Sequence, residues 1–244
     1  LTSTPAVESH PHFSPDGRRI AFTSNRMGTD DVYVVSIEGG LPQRLTWYPA
    51  PTSVRGWTPG GERILYASTR ATAPTNFDRL WTVPHSGGPS TLLPAPRATS
   101  GAYAPDARRL VFDGVRRWDG EWRAYRGGQN KPLVILDLDD LGETLLPNED
   151  RSTDTQPVWL DDTIYFLSDR DWTTNIWAYT PATVALEQRT NFTGADVKYL
   201  SAGGGLLAFE REGYLHTLDP ATGAVRRLAI TVRGDFPWAA TRWE

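Results

Sequence analysis

One hairpin signature recurs along this chain, and it restricts the fold more than any other feature. The clearest copy is His12-Phe13-Ser14-Pro15-Asp16-Gly17-Arg18-Arg19-Ile20-Ala21-Phe22. Trp57-Thr58-Pro59-Gly60-Gly61-Glu62-Arg63-Ile64-Leu65-Tyr66 and Tyr103-Ala104-Pro105-Asp106-Ala107-Arg108-Arg109-Leu110-Val111-Phe112 repeat it closely. Trp159-Leu160-Asp161-Asp162-Thr163-Ile164-Tyr165-Phe166 has a shorter turn, and the stretch from Leu200 to Phe209 is the most degenerate copy. In each copy an apolar anchor ends one strand, a Pro-Asp-Gly turn or its variant reverses the chain, and an alternating apolar stretch begins the next. Proline presets φ, aspartate caps the local backbone, and glycine accepts positive φ.

A second hairpin follows each copy. It begins with Asp31–Val35, Leu80–Val83, Leu133–Leu136, Asn175–Tyr179 and Tyr214–Leu218, and ends in short outer strands around Leu45, Leu92, Leu145, Arg189 and Arg227. Four strands per 40 to 50 residues, repeated around an axis, predict an all-β fold, a β-propeller of four-stranded antiparallel blades. A β-solenoid or stacked sandwich shares the short alternating strands, but not the coincidence of anchor, turn and second hairpin in five copies. The predicted domain is a single propeller over 1–244, with blades at about 10–47, 52–93, 98–147, 152–192 and 195–232. Residues 1–4 read as the last strand of a unit and 235–243 as a lone first strand, so the chain is expected to be a piece of something longer. Closure through a gap, through five blades or through another copy stays open at this point.

Composition supports this picture where it speaks. The 22 glycines, 19 prolines and 10 tryptophans suit many short strands joined by turns, with rings filling wedge-shaped gaps between twisted sheets. Cysteine is absent, which removes disulfides, thiolate zinc sites and a cysteine nucleophile. No run of 18 apolar residues occurs, so no helical membrane span and no membrane partner is expected. A net charge of −4 with scattered basic residues argues against nucleic acid as a partner.

Repeats built on Ser14-Pro15-Asp16-Gly17-Arg18-Arg19-Ile20-Ala21-Phe22 resemble the propellers of the TolB-like and tricorn protease families. The third unit narrows the match. It carries an insertion from Arg116 to Gln129 containing Trp122-Arg123-Ala124-Tyr125-Arg126-Gly127-Gly128, which resembles the N-terminal six-bladed propeller of tricorn proteases. The run from Thr163 to Asp171 and Asp196-Val197-Lys198-Tyr199 fit the same family in order. The resemblance implies a six-bladed plan with five complete blades here. It also implies a parent with a second, seven-bladed propeller, a PDZ-like module and a C-terminal serine peptidase core. The family's nucleophile lies outside this region, so no position inherits it. The implied role is passage of peptides through a central tunnel, with the remaining domains of the parent, or other copies of the chain in a homo-oligomer, as further partners. A cytoplasmic location is expected, with a periplasmic one as the alternative.

No catalytic motif is found in the chain. Gly-x-Ser-x-Gly, Gly-x-x-x-x-Gly-Lys and Gly-x-Gly-x-x-Gly are all missing. His85 falls in a turn and His216 on an alternating strand, both read as structural. His10 and His12 flank Pro11 on a first strand, where a metal pair is conceivable, but no further ligands accompany them. Asp169 to Asn175 lacks the glycine and terminal glutamate of a calcium loop. Asp137, Asp139, Asp140 and Glu143 read as a solvated turn. No metal and no cofactor is therefore expected.

Residues just before the anchors are expected to ring one mouth of the tunnel: Glu8, His10, Ser53, Ser100, Asp154, Gln156, Asp196 and Lys198. Their acid-leaning balance would attract cationic peptide segments. Arg116, Arg117, Arg123 and Arg126 mix with Trp118, Trp122 and Tyr125 in the insertion, a composition suited to protein contact or to plugging a gap between blades. The expected function is thus a non-catalytic propeller domain of a tricorn-like serine peptidase. The alternative is a stand-alone TolB-like module that binds a protein or peptide. A propeller enzyme such as a lactonase or glycosidase ranks last, for want of a convergent motif.

Overall fold

The computed structural model describes residues 5–114 and 124–231, and no helix forms among them. Residues 1–4 and 235–243, read above as partial strands, lie outside the described residues. Twenty strands make five sheets, each a four-stranded antiparallel meander in chain order. Blade 1 is β1 (Glu8–Phe13), β2 (Arg19–Ser24), β3 (Asp31–Ser36) and β4 (Gly39–Arg44). Blade 2 is β5 (Thr52–Trp57), β6 (Arg63–Ser68), β7 (Arg79–Pro84) and β8 (Thr91–Leu92). Blade 3 is β9 (Ser100–Tyr103), β10 (Arg109–Asp113), β11 (Val134–Asp137) and β12 (Glu143–Leu145). Blade 4 is β13 (Asp154–Leu160), β14 (Thr163–Ser168), β15 (Asn175–Thr180) and β16 (Ala185–Gln188). Blade 5 is β17 (Lys198–Gly203), β18 (Leu206–Arg211), β19 (Tyr214–Leu218) and β20 (Val225–Arg227). The first strands of consecutive blades touch one another, β1 on β5, β5 on β9, β9 on β13 and β13 on β17, so the blades stand in a ring with their first strands innermost.

The core lies between blades. On β6, Ile64 and Tyr66 pack toward blade 1 while Leu65 and Ala67 pack toward blade 3. On β14, Ile164 and Phe166 pack toward blade 3 while Tyr165 and Leu167 face blade 5. The period-2 alternation of a strand therefore feeds two different interfaces, and the middle strands read as continuous apolar runs because both faces are covered. Each anchor packs against the preceding blade: Trp57, Trp159 and Leu200 are buried in those interfaces. Phe13, with no blade before it among the described residues, is 67% exposed. The far face of blade 5 is likewise open, with Leu206 and Leu215 exposed.

Local chemistry fixes the turns. In blade 1, Gly17 N donates to Ser14 O at 2.8 Å, Arg18 N donates to Asp16 Oδ1 at 3.0 Å, and Gly17 has φ of +68°. Outer strands are tied down by a repeated threonine lock. Val32 N donates to Thr46 Oγ1 at 2.9 Å and that hydroxyl to Asp31 Oδ1 at 2.8 Å; Ile176, Thr190 and Asn175 repeat the arrangement at 2.9 Å and 2.9 Å.

Gly101 on β9 is hemmed in by its own neighbouring strand and by blade 2. A Cβ there would lie 2.7 Å from the Val111 carbonyl oxygen and 3.0 Å from Leu80 Cδ1. Gly101→Ala is expected to cost about 1–3 kcal/mol through overpacking, read as a lower urea midpoint. An unchanged midpoint would show that the backbone relaxes around the methyl group.

Candidate functional site

The axial wall is made from the innermost strands. In every blade the first strand starts at the same mouth, because strand direction alternates outward through each meander. Register aligns Ser9, Ser53, Ser100, Thr155 and Lys198 at one level, opposite Thr23, Ala67, Asp113, Leu167 and Glu210. Directly below, four of the five strands are interrupted: the ladder slips between Ser9 and His12, Val54 and Gly56, Thr155 and Val158, and Lys198 and Ser201. His10, Gln156 and Tyr199 have φ near +52°, +52° and +55°, and Gly56 reaches +149°. A bulge adds one residue, re-aims its side chain and accepts proline, here Pro11 and Pro157, since the ring-facing edge has no ladder partner to lose. Four blades therefore interrupt their alternation at one level of the axis.

The sequence-named mouth residues divide by this geometry. Glu8 pairs with Arg26, and Asp154 accepts from Arg170 Nη2 at 2.6 Å and from Asn148 Nδ2 at 2.7 Å with its side chain wholly buried. Burial pushes the Asp154 carboxyl above the ordinary range, and the Arg170 charge opposes that. Gln156 Oε1 accepts from Leu200 N at 3.0 Å, joining blades 4 and 5. Asp196 Oδ1 accepts from Thr174 N at 2.9 Å. Ser53 is half-buried, and His10 and Lys198 are exposed. His10 Nδ1 lies 2.9 Å from Ser9 Oγ. The acid-leaning balance expected of this mouth is thereby reduced, because Glu8 and Asp154 are engaged in ion pairs.

Those pairs belong to a repeated device. Ser24-Asn25-Arg26, Ser68-Thr69-Arg70 and Ser168-Asp169-Arg170 each end the second strand of a blade. The guanidinium turns back over an aromatic ring of the third strand: Arg26 over Tyr33 at 4.7 Å, Arg70 over Trp81 at 4.3 Å and Arg170 over Trp177 at 5.5 Å. Such stacking suits arginine because its weakly hydrated plane tolerates partial burial.

Arg55, absent from the sequence-named set, is the half-buried residue at the bulge of β5 between Val54 and Gly56. Burial first, then the Arg55 charge, then His10, push the His12 imidazole down to about 4; the same first two causes lower His10, with Asp30 opposing. β1 and β5 are fixed together by Trp57 Nε1 donating to His12 O at 3.0 Å and Val54 N donating to Thr23 Oγ1 at 2.9 Å. The signal available in the sequence was an arginine at the register position where blades 1 and 4 carry Pro11 and Pro157. No group of three or more metal-ligating side chains occurs among the described residues.

The signature insertion acts as a clamp in its described part; Trp122 lies outside the described residues, with Arg116, Arg117, Trp118 and Arg123. Arg126 donates to Asp169 Oδ1 at 2.8 Å and to the Asp169 carbonyl at 2.7 Å, and stacks 4.7 Å from the Trp172 ring centre. It thereby ties blade 3 to the loop of blade 4. Gly127 leaves room for the Tyr125 side chain folded against it, which a Cβ would fill, whereas Gly128 meets no such neighbour. At the turn end of blades 1 and 2, Asp16, Arg19, Gly60, Gly61, Glu62 and His85 line a shallow cleft.

Comparison with known proteins follows this architecture. The family described as the tricorn protease N-terminal beta propeller domain matches residues 1–224. The chain is 35% identical to tricorn protease homolog 1 of Streptomyces coelicolor over 96% of its length, and 27% identical to the tricorn protease of Thermoplasma acidophilum over 94%. It spans only 23% and 22% of those relatives, about a quarter of their length. Among solved structures it is similar to the crystal structure of the tricorn protease, with a TM-score of 0.80 at 24% identity, covering 96% of this chain and 23% of that one. A putative TolB from Agrobacterium tumefaciens shares the fold at a TM-score of 0.72 and 18% identity, with 92% and 81% covered.

Two outcomes follow from the buried charges. Between pH 6.5 and about 4 the unfolded chain holds a proton that folded His12 does not, so stability should fall as pH drops through that window, by up to about 3 kcal/mol. His12→Gln should flatten that slope in denaturant titrations at pH 7 and 4.5; an unaltered slope would assign it elsewhere. Asp154→Asn, which strands the Arg170 charge, is expected to cost about 3–5 kcal/mol, whereas replacing both partners by apolar residues should cost much less. Equal losses in the single and double variants would show that the pair itself is not what matters.

Proposed function

The chain belongs to the tricorn protease N-terminal β-propeller family, and from that premise we propose that it is a non-catalytic propeller domain of a tricorn-like serine peptidase. Its axis guides peptide substrate or product, and its blades support assembly with the remaining domains of the parent or with other copies of the chain. The reading places it in the cytoplasm; no helix among the described residues is long and apolar enough to cross a membrane. The observation that carries it is the ring of innermost strands with polar bulge residues His10, Arg55, Gln156 and Tyr199 at one axial level. A peptide backbone needs hydrogen-bonding partners wherever it leaves water, and a wall of strand edges and polar side chains offers them. The mouth residues Glu8, His10, Ser53, Asp154, Gln156, Asp196 and Lys198 form the entrance in this reading, with Glu8 and Asp154 holding the wall rather than touching the peptide.

The purified chain should show no hydrolysis of fluorogenic peptides above background. Robust cleavage abolished by changing one of the chain's own residues would overturn the reading.

A further inference from the structure

The Ser-x-Arg device is incomplete in blade 2. Glu8, Thr52 and Asp154 hold one register position, opposite Ser24, Ser68 and Ser168. In blades 1 and 4 the arginine therefore pairs with an acid of its own first strand, and its Nε donates to the serine hydroxyl at 3.1 and 3.2 Å. In blade 2 the Thr52 hydroxyl donates to Ser68 Oγ at 3.3 Å instead, and Arg70 Nε is buried without an acceptor. The contacts of the Arg70 side chain among the described residues are all with neutral groups. Its Nη1 donates to the Tyr66 hydroxyl at 3.1 Å, and its guanidinium lies 4.3 Å and 4.7 Å from the Trp81 and Tyr48 ring centres. Tyr48 belongs to the loop joining blades 1 and 2 at this mouth, where Trp47 is 64% and Tyr48 43% exposed.

We propose that Arg70 and the loop carrying Trp47 and Tyr48 form a protein-docking surface, on which the Arg70 guanidinium receives a glutamate or aspartate side chain of the partner. The proposal rests on the assembly part of the reading above and names one contact for it. Its chemistry is set by the sister blades, where the same arginine meets Glu8 or Asp154. A partner's acid would supply what Thr52 does not. Rings stacked on the guanidinium leave its edge, the fork that meets a carboxylate in plane, and partial burial strengthens such a bond. Trp47 and Tyr48 add exposed aromatic area beside the charge, and Trp, Tyr and Arg are the residue types that carry most interface energy. The loop is already shaped for contact. Ala50 N donates to Tyr48 O at 2.8 Å, the Thr52 hydroxyl donates to Ala50 O at 3.1 Å, and Pro49 and Pro51 restrict the backbone between them. Docking therefore orders little that is not ordered beforehand.

The test uses the 244-residue chain and three labelled, N-acetylated peptides: an amide with a central Leu-Glu-Leu, the same amide with Leu-Gln-Leu, and the Leu-Gln-Leu peptide with a free C-terminus. Fluorescence anisotropy at low salt should show the glutamate peptide binding about ten-fold or more tightly than its glutamine counterpart. In proton–nitrogen NMR spectra the Arg70 Nε–H signal should move with the glutamate peptide and not with the glutamine amide. Arg70→Gln should remove the preference. Thr52→Glu, which puts the acid of the sister blades back in cis, should also remove it without lowering the melting temperature, whereas Thr52→Gln should keep it. That pair decides the matter even if Arg70→Gln misfolds. Tight binding of the free C-terminus alone would assign the contact to chain ends and overturn the proposal. Equal affinity for all three peptides, no binding of any, or a preference that survives Thr52→Glu would overturn it too, leaving assembly through other faces of the chain standing.

Discussion

Apolar burial between adjacent sheets is the constraint on which the rest of this structure depends. A single four-stranded meander exposes two faces, and its middle strands carry large side chains on both. Ile64 and Tyr66 face one neighbour while Leu65 and Ala67 face the other, so no blade can satisfy its hydrophobic pattern alone. At roughly 25 cal/mol per Å² of apolar surface removed from water, it is these interfaces that supply most of the drive to fold. The anchors show the direction of the dependence. Trp57, Trp159 and Leu200 each fill a gap against the blade before them, and Phe13, which has none described, is exposed.

Radial packing has an electrostatic consequence. Crowding the innermost strands around an axis leaves little water for charged groups at their starts, so those charges are neutralised locally. The Ser-x-Arg element does this with one residue type. Its arginine meets a carboxylate where Glu8 or Asp154 is present and stacks on the aromatic ring of the third strand in each case. Blade 2 keeps the stack without the acid, having Thr52 at the position of Glu8. Stacking is therefore the constant part of the device and the ion pair the variable part.

The bulges connect fold to function. A regular ladder would send alternate side chains into the two interfaces and leave only backbone at the axis. Inserting one residue breaks the alternation and frees His10, Gln156 and Tyr199 from it. Gln156 uses that freedom to bridge to Leu200 N, while His10 remains exposed. The same local distortion thus serves blade cohesion in one sector and an open wall in another.

Turn chemistry and alternation were legible in the sequence because both are local: Pro15-Asp16-Gly17 needs only its own backbone to turn, and a period-2 pattern needs only a strand. That is why four-stranded units and their family could be read from residues alone, and why His85 and His216 could be set aside as structural; His216 stacks on Phe209 with ring centres 5.3 Å apart. The partners of Glu8 and Asp154, 18 and 16 residues away, follow from strand pairing, and the hydrogen bond from Trp57 Nε1 to the His12 carbonyl joins two different blades. The sequence by itself determined that this chain must build repeated sheets, since each stretch encodes its own turns and its own two apolar faces. Only the tertiary structure decided which charges are consumed in holding the ring together and which face its axis, because that depends on distances between blades that no local pattern encodes.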